Sequence, residues 1–505
     1  MLFQRVVIVG LLILLQIAIL VVMVLRFDDY FVYFYAVCIA ISLFSVLYII
    51  SNKENPAYKI AWIIPIMLVP FFGGLFYLLF GGQHLSQHEY KKMHKISEHS
   101  KAALVHPQPV MEKLQALDNT AALQSNYIYR MAYSPPYEHT STEFLPMGEV
   151  KFQRMLEELR KAEHYIFLEY FIIQEGKMWN SILEILEQKV QQGLDVRVMY
   201  DDLGCIRTLP DDYARRLEEK GIQCCVFNRF IPVLSLRFNN RNHRKICVID
   251  GHTGFTGGIN LADEYINEYP KHGHWKDCAI LLRGDAVWSL TVMFLSMWDY
   301  IRDVEEDYSQ FQPNVYLHNR VESDGFVQPF TDTPLDDEAV GETVYMNLVS
   351  RAKRYVYINT PYLILSYEMN KALCTAAKCG IDVRIVTPHV PDKWYVHPVT
   401  RAYYAELVES GVKIYEYTPG FIHAKTFVVD DEYGVVGTIN LDYRSLYLHF
   451  ECAAWLYRCS CIADLREDYL KTLEVCEQIT VEACRKTPWP VRLGRSILKV
   501  FAPLM

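Results

Sequence analysis

The chain has 505 residues, of which 51% are hydrophobic and 22% are charged. These proportions exclude a wholly disordered chain and a small disulfide-rich protein. The formal net charge of −9 disfavours a protein that coats nucleic acid, because such proteins are normally basic. The 13 cysteines are scattered without a C-x-x-C pair, which indicates a reducing compartment for most of the chain.

Three long apolar runs occupy the N-terminal part of the chain, at residues 6–25, 30–50 and 60–82. A helix of about 20 residues is about 30 Å long, which matches the hydrocarbon core of a bilayer. We therefore expect residues 1–82 to form two or three transmembrane helices. Buried core helices are the alternative for all three runs, and a cleaved signal peptide is a further alternative for the first.

Basic residues beside these runs bear on the orientation of the chain in a membrane. Four lysines follow the third run: Lys91, Lys92, Lys95 and Lys101. The positive-inside rule places the segment that carries them in the cytoplasm. Arg5, Lys53 and Lys59 favour the opposite arrangement if all three runs span the membrane. Because the cysteine usage also indicates a reducing compartment, we expect the remainder of the chain to be cytoplasmic.

After a polar linker expected at residues 83–130, the chain alternates between helical and strand patterns. A strand, a helix and a strand are predicted in that order at residues 165–173, 179–192 and 196–200. The same order returns later in the chain, at residues 355–358, 368–378 and 383–386. This rhythm is typical of βαβ units and predicts an α/β fold.

A segment rich in Asp, Pro, Gly and Thr at residues 322–338 separates the two rhythms and is predicted to be a domain linker. We predict two similar α/β halves after the membrane segments, at residues 131–325 and 326–487. Residues 488–505 carry basic residues among apolar ones spaced by threes and fours. This tail is predicted to be a basic amphipathic helix on an anionic lipid surface; the alternatives are a terminal helix docked on the preceding half and a frayed tail.

One motif is repeated in the two halves. HRKICVIDGHTGFTGGIN at residues 243–260 returns as HAKTFVVDDEYGVVGTIN at residues 423–440. Five identical positions are related by one constant offset: His243/His423, Lys245/Lys425, Asp250/Asp430, Gly257/Gly437 and Asn260/Asn440. Such a match indicates an internal duplication. Side chains two apart on a strand point the same way, so each copy presents an imidazole and an ammonium group together.

Two histidines and two lysines suit chemistry at a phosphodiester. One neutral imidazole can attack phosphorus, and a second, protonated imidazole can protonate the leaving oxygen. The two ammonium groups and the amides of Asn260 and Asn440 can hold the phosphoryl oxygens. No metal or other cofactor is expected, because the sequence has no HExxH, EF-hand or P-loop motif. The alternative, a duplicated fold without chemistry, leaves the histidine–lysine pairs unexplained.

The pattern HxKxxxxD followed by GG/GT-x-N, present twice, resembles the phospholipase D superfamily. The longer stretches NHRKICVIDG, GFTGGINLADEY, GFIHAKTFVVDDEYGVVGTINLDYRSLYLHFE and INTPYLI resemble bacterial cardiolipin synthases, as does the apolar N-terminus followed by FGG. The resemblance covers nearly the whole chain. It implies two halves related by a pseudo-twofold axis, with both motifs facing one cleft. The sequence departs from the family pattern at two points. Gly258 stands where many superfamily motifs have a serine, whereas Thr438 keeps a hydroxyl at the equivalent position. The chain also has three apolar runs, one more than the two transmembrane spans often assigned to this family.

The resemblance implies phosphatidyl transfer between two phosphatidylglycerols, giving cardiolipin and glycerol. By analogy, His243 attacks phosphorus to form a phosphatidyl-histidine, and His423 acts as the acid and then the base. Asp277 and Glu451 follow the two motifs and are expected to orient the histidines. Asp250 and Asp430 are expected to organise the motif turns. The implied partners are phosphatidylglycerol and anionic lipids of a bacterial cell membrane, without nucleic acid; the oligomeric state stays open.

Three other classes of function could use the same residues. A phospholipase D hydrolase would use water as the acceptor, and a nuclease would use the same site on nucleic acid. The net charge and the apolar runs disfavour the nuclease. A non-catalytic membrane scaffold would be expected to lose one of the four motif residues that are all present here. The motifs do not encode the acceptor, so phosphatidylethanolamine also stays open.

Overall fold

A computed structural model describes residues 18, 21–22, 31–52, 55–69, 73–74, 77, 87–104, 108–229, 240–316, 321–322, 325–336 and 338–504. The first predicted span, residues 6–25, lies outside the described residues except at three positions, and most of 69–82 does as well. Within the described ranges, no helix combines the length and the apolarity needed to cross a bilayer. The transmembrane spans therefore stay a prediction.

Among the described residues before the first sheet, five helices have defined bounds: α1 (Phe31–Ser51), α2 (Pro56–Leu68), α3 (Gln87–Ala103), α4 (Gln108–Leu117) and α5 (Asn119–Ala132). The linker expected at 83–130 is therefore helical in its described part. α5 is also packed on the second half, because Gln124 donates to the Val344 carbonyl oxygen at 3.2 Å and the Ser125 carbonyl oxygen accepts from Gln328 at 3.0 Å. The polar composition concealed these contacts, since they are made by buried polar side chains.

The first half contains a seven-stranded sheet with the strand order β1-β9-β7-β6-β2-β3-β4. Its strands, with the short β5 and β8, are β1 (Thr140–Leu145), β2 (Tyr165–Tyr170), β3 (Asp195–Asp201), β4 (Gln223–Phe227), β5 (Arg241–Asn242), β6 (Ile246–Ile249), β7 (Thr253–Gly257), β8 (His274–Lys276) and β9 (Ala279–Gly284). Its helices are α6 (Gly148–Lys161), α7 (Lys177–Gln191), α8 (Asp202–Cys205), α9 (Tyr213–Glu219) and α10 (Val287–Arg302). The parallel strands β2, β3 and β4 carry the predicted βαβ units.

The second half repeats this topology in the order β10-β17-β16-β15-β11-β12-β13, with β18 added at one edge. Its strands are β10 (Phe326–Asp332), β11 (Tyr355–Asn359), β12 (Asp382–Pro388), β13 (Lys413–Tyr417), β14 (Gly420–Ile422), β15 (Thr426–Val429), β16 (Tyr433–Gly437), β17 (His449–Tyr457) and β18 (Cys476–Ile479). Its helices, after α11 (Pro313–Tyr316), are α12 (Val340–Arg351), α13 (Tyr367–Lys378), α14 (Val396–Glu409), α15 (Tyr443–Tyr447), α16 (Cys461–Leu473), α17 (Val481–Arg485) and α18 (Trp489–Phe501). The prediction of two similar α/β halves is confirmed.

The linker predicted at 322–338 is wrong in its central part. Residues Phe326–Asp332 form the edge strand β10, which pairs antiparallel with β17 along its whole length. All but one of its residues are buried. The Pro, Thr and Asp of this strand lie at positions that an edge strand tolerates, so composition alone suggested a loop.

Each sheet is covered by helices on both faces. In the first half, Phe167 of β2 stacks on Phe294 of α10 at 4.6 Å between ring centroids, and its neighbour Leu168 points to the opposite face, which α7 covers. In the second half, Tyr357 of β11 stacks in the same way on Tyr469 of α16 at 4.9 Å. α10 and α16 contribute to one shared apolar cluster between the sheets. This shared core holds the two halves together.

Two short parallel pairings join the halves beside the repeated motifs. β8 of the first half pairs with β14 of the second, and β5 pairs with the start of β17. The His243 backbone N–H donates to the Phe450 carbonyl oxygen at 2.9 Å, and the His423 N–H donates to the Lys276 carbonyl oxygen at 2.6 Å. The backbone of each motif histidine is therefore held by the other half.

Candidate active site

The two motif aspartates organise backbone rather than line a cleft. Asp250 accepts hydrogen bonds from three successive backbone N–H groups, those of residues 163–165, each at 2.8 Å. Asp430 accepts from the N–H groups of residues 353–355 at 2.6 to 2.9 Å. Both residues adopt positive φ angles of 49° and 56°. They tie the turn after each motif strand to the start of the neighbouring strand.

The motif histidines are each paired with a carboxylate of the opposite half. His243 Nδ1 lies 2.9 Å from both Glu451 oxygens, and His423 Nδ1 lies 2.7 Å from Asp277 Oδ2. Both carboxylates are fully buried. A carboxylate on Nδ1 fixes the tautomer that carries its proton there, which leaves Nε2 with a lone pair. The two imidazoles are therefore presented as nucleophiles or bases through Nε2.

The two carboxylates are supported differently. Glu451 receives hydrogen bonds from the hydroxyls of Thr438 and Ser445, the second at 2.5 Å. Asp277 accepts from the Cys278 N–H at 2.8 Å, and a Cβ at Gly258 would lie 2.1 Å from its Oδ1. The glycine therefore provides the space that Asp277 occupies. The two motif copies therefore differ at equivalent positions for a structural reason: Gly258 leaves room for Asp277, whereas Thr438 donates a hydrogen bond to Glu451.

The motif lysines are buried beside the histidines. Lys245 Nζ donates to the carbonyl oxygen of His243 at 2.6 Å, and Lys425 donates in the same way to His423. Burial lowers the pKa of Lys245 to about 7 and that of Lys425 to about 8. A buried ammonium group has lost its hydration, so a bound anion stabilises its charged form strongly.

Both histidines are held in the neutral form at neutral pH. Burial holds the pKa of His243 well below its ordinary value, and the charges of Lys245 and Lys425 lower it further. The pKa of His423 is lowered by the same causes, with Lys425 ahead of Lys245. Burial raises the pKa of Asp277 to about 6. The site thus combines neutral imidazoles with nearby positive charge, which suits attack on an anionic phosphodiester.

The two motif asparagines are not equivalent. Asn260 accepts from the Ile172 N–H at 3.0 Å through Oδ1 and donates to the Tyr265 hydroxyl at 2.6 Å. The Oδ1 atom of the buried Asn440 has no hydrogen-bond partner within the part of the chain that the structure describes. Asn260 is therefore committed largely to structure, whereas the Oδ1 atom of Asn440 remains available as an acceptor.

Sequence reasoning missed two further groups at the site. His449 lies beside His243, with 5.6 Å between ring centroids, and burial lowers its pKa to about 4. The LHFE stretch contained this signal, since His449 precedes Glu451 by two residues on one strand face. Lys393 is exposed, lies 5.1 Å from the Tyr362 ring centroid and lowers the pKa of both motif histidines. No motif marks it, because it comes from the loop before α14.

The walls around the two histidines differ in chemistry. Three aromatic rings, those of Tyr265, Trp275 and Phe421, lie 5.5 to 5.8 Å from the His423 ring. His243 is flanked by Phe171 at 5.1 Å and by His449. One end of the site is therefore aromatic and the other more polar.

One group of side chains has the spacing of a metal site. Ligand atoms of His243, His449 and Glu451 lie within 4.8 Å of one another. His243 and Glu451 already share a hydrogen bond, and the charges of Lys245 and Lys425 disfavour an additional cation. The arrangement therefore fits the binding of an anion better than that of a metal ion.

Comparison with known proteins identifies the family of the repeated halves. Residues 155–272 and 345–472 both match the family described as "Cardiolipin synthase, PLD-like domain". Residues 39–82 match "Phospholipase D-nuclease N-terminal". The two main matches contain the paired histidine–lysine motifs, so the duplication found in the sequence is a duplication of one known domain.

Full-length relatives extend this match over most of the chain. An uncharacterized protein of Streptococcus mutans is 44% identical and covers 91% of this chain and 99% of its own. The cardiolipin synthase of Geobacillus kaustophilus is 36% identical over 92% of each chain. The crystal structure of phosphatidylserine synthase from Haemophilus influenzae shares the fold, with 16% identity, a TM-score of 0.57, and coverage of 76% of this chain and 100% of that chain. The chain therefore belongs to the phospholipase D-like cardiolipin synthase family.

Proposed function

We propose that this protein is a cardiolipin synthase, which transfers a phosphatidyl group from one phosphatidylglycerol to another and releases glycerol. The crosswise pairing of two buried histidines with carboxylates, beside two buried lysines, carries this proposal. It provides a nucleophile, an acid–base group and a binding site for a phosphodiester anion in one place. Relatives that carry the name cardiolipin synthase support the choice of lipid chemistry.

In the first step, Nε2 of His243 attacks phosphorus of the first lipid. The bond from phosphorus to the glycerol oxygen breaks, and His423 donates a proton to that oxygen. The bound phosphodiester anion offsets the lysine charges and raises the pKa of His423, so that this histidine can carry the proton. Asp277 stabilises the resulting imidazolium through Nδ1.

In the second step, the neutral His423 takes a proton from the terminal hydroxyl of a second phosphatidylglycerol. The deprotonated oxygen attacks phosphorus, the phosphorus–nitrogen bond breaks, and His243 returns to its neutral form. Lys245 and Lys425 hold the phosphoryl oxygens in both steps, and the side-chain N–H groups of Asn440 donate to the same oxygens. The aromatic wall around His423 supports this assignment, because it limits the access of water to the acceptor position.

We propose that the first 82 residues anchor the enzyme in the bacterial cell membrane as a multi-pass segment, with the catalytic halves in the cytoplasm. α1 and α2 support this location, since both expose large apolar side chains, including Phe44, Leu47 and Leu68. The proposed substrate also lies in that membrane, and an anchored catalytic half can reach it without extracting the acyl chains.

The function is tested with full-length protein in detergent, supplied with phosphatidylglycerol alone and without CTP or added metal. Mass spectrometry should find cardiolipin and free glycerol, and both should be lost in His243→Ala and in His423→Ala. Lys378→Ala, an exposed position on α13, is the matched control and should retain activity. Phosphatidic acid with glycerol would instead identify water as the acceptor and contradict the synthase proposal.

The order of the histidines is tested by trapping. Phosphohistidine should accumulate on His423→Ala with labelled phosphatidylglycerol and should be absent from His243→Ala. The reverse result would exchange the two roles without altering the rest of the site.

A further inference from the structure

The C-terminal helix α18 is firmly docked on the second half. Lys499 Nζ lies 3.9 Å from the ring centroid of Tyr403 on α14, and Leu498 packs against the apolar core of this half. Arg485, just before α18, is 3.7 Å from Glu409 at the end of α14. These contacts fix α18 antiparallel to α14, so its orientation is defined.

The outer face of α18 carries an apolar stripe, formed by Trp489, Leu493, Ile497 and Val500. Their spacing of four, four and three places them on one side of the helix. Their exposed fractions are 68%, 52%, 52% and 37%. A helix on a water-facing surface normally shows the opposite arrangement, with apolar residues inward and charges outward.

The basic residues of the helix are placed on its inner side and at its edge. Arg495 and Lys499 are half-buried towards α14, whereas Arg492 is exposed beside the apolar stripe. No acidic residue occurs between residues 488 and 505. An exposed apolar stripe whose one exposed charged neighbour on the helix is the positive Arg492 complements a surface of anionic lipid.

The helix that carries the apolar stripe packs beside a second helix with exposed apolar side chains. α18 contacts α2, which exposes Ile60, Met67 and Leu68 on the N-terminal side of the molecule. The turn Ala502–Leu504 after α18 contacts both α2 and α15. The end of the chain is thus packed beside the segment that we assign to the membrane, at the same side of the second half.

We propose that α18 lies in the interface of a bilayer that contains anionic lipid, with the apolar stripe among the acyl chains and Arg492 beside lipid phosphates. The inference rests on the proposed membrane location of the enzyme, and not on the reaction that it catalyses. Because α14 begins three residues after Lys393, the docking of α18 fixes the loop that carries Lys393 relative to the lipid surface. The tail can then be both docked on the second half through its inner side and bound to lipid through its outer side, so these two predictions for residues 488–505 are compatible.

The test uses full-length protein in phosphatidylglycerol vesicles, with or without bromine on the acyl chains. The chain has eight tryptophans, so the Trp489 signal is obtained as the difference between the parent and Trp489→Phe. Bromolipid should quench this signal, and aqueous iodide should not. Quenching by iodide alone would place the stripe in water. Resistance to both quenchers would place it against protein, such as a second copy, and either result would overturn the proposal.

Paired charge substitutions give an independent measurement. Leu493→Asp with Ile497→Asp should lower kcat/KM for vesicle lipid at least about tenfold, since burial of one leucine-sized side chain changes an equilibrium by more than that factor. Activity on short-chain lipid in micelles should be unchanged. Leu470→Asp is the matched control, an exposed apolar residue on α16 that should affect neither assay. An equal loss in vesicles and micelles would contradict an interfacial role. The membrane location is tested separately: the full-length parent protein should be recovered together with the vesicles when these are separated from the solution.

Discussion

His243 and Glu451 are 208 positions apart in the sequence, yet Nδ1 of the histidine lies 2.9 Å from each carboxylate oxygen. His423 and Asp277 form the reciprocal contact at 2.7 Å. Each half therefore supplies a histidine to one pair and a carboxylate to the other. A separated half would have neither pair, which gives a physical reason for both halves to act as one catalytic unit.

Removing the charge of one orienting carboxylate should slow the reaction without abolishing binding. We expect Glu451→Gln to reduce the rate of phosphohistidine formation by as much as about 10⁴-fold, the cost of the same kind of change at the carboxylate that orients the histidine of a Ser-His-Asp triad. Rapid-quench measurement of the labelled intermediate follows this rate. Glu432→Gln, a surface carboxylate paired with Arg458, is the control and should retain the parent rate. An unchanged rate in Glu451→Gln would remove its positioning role.

The space at Gly258 should be as important as the carboxylate that fills it. We expect Gly258→Ala to displace Asp277 from His423, because the added Cβ would meet Asp277 Oδ1 at 2.1 Å. Its kcat should fall to the level of Asp277→Asn, and the double variant should be no slower than either single one. Additive losses would show that the glycine acts through some other contact. Thr438→Ser keeps the hydroxyl that supports Glu451 and should stay close to the parent.

The duplication, the motif residues and the two α/β halves could be predicted from the sequence, because each depends on local order or on a repeat. The crosswise pairing could not. Asp277 and Glu451 follow their own motifs in the chain, and only the packing of one half on the other places each beside the opposite histidine. The edge strand β10 was missed for a related reason, since its partner β17 is more than 100 residues away.

Alkaline pH should weaken the enzyme earlier than the ordinary lysine pKa would suggest. Burial lowers the pKa of Lys245 to about 7 and that of Lys425 to about 8, so these groups lose their charge as the pH rises through that range. Because the charged form binds the phosphodiester anion, kcat/KM for phosphatidylglycerol should fall above about pH 7 to 8. In Lys245→Arg, the part of this alkaline fall in kcat/KM that is due to Lys245 should disappear, since a guanidinium stays charged. A profile that is flat to pH 10 would contradict the role of the lysine charges.

Asp250 should matter to stability more than to chemistry. Its carboxylate accepts three backbone hydrogen bonds at 2.8 Å and does not contact His243. We expect Asp250→Asn to lower the free energy of unfolding by about 1.5 to 3 kcal/mol, the range for hydrogen bonds to a charged group. Thermal unfolding and activity at low temperature would be measured together. A stable variant that is inactive would instead assign Asp250 to the catalytic step.

The exposed Lys393 should lower the pKa values of the two motif histidines in the working enzyme. Its positive charge lowers the pKa of both His243 and His423, so its removal should raise both values. Attack requires a neutral imidazole, and the acid limb of kcat/KM should therefore move to higher pH in Lys393→Ala.

The same substitution should raise KM for an anionic lipid, because one cation is lost near the phosphodiester. Lys393→Arg should restore both properties, whereas Lys378→Ala, equally exposed but on α13, should change neither. A rise in KM without any movement of the acid limb would mean that Lys393 contacts lipid too far from the histidines to affect their protonation.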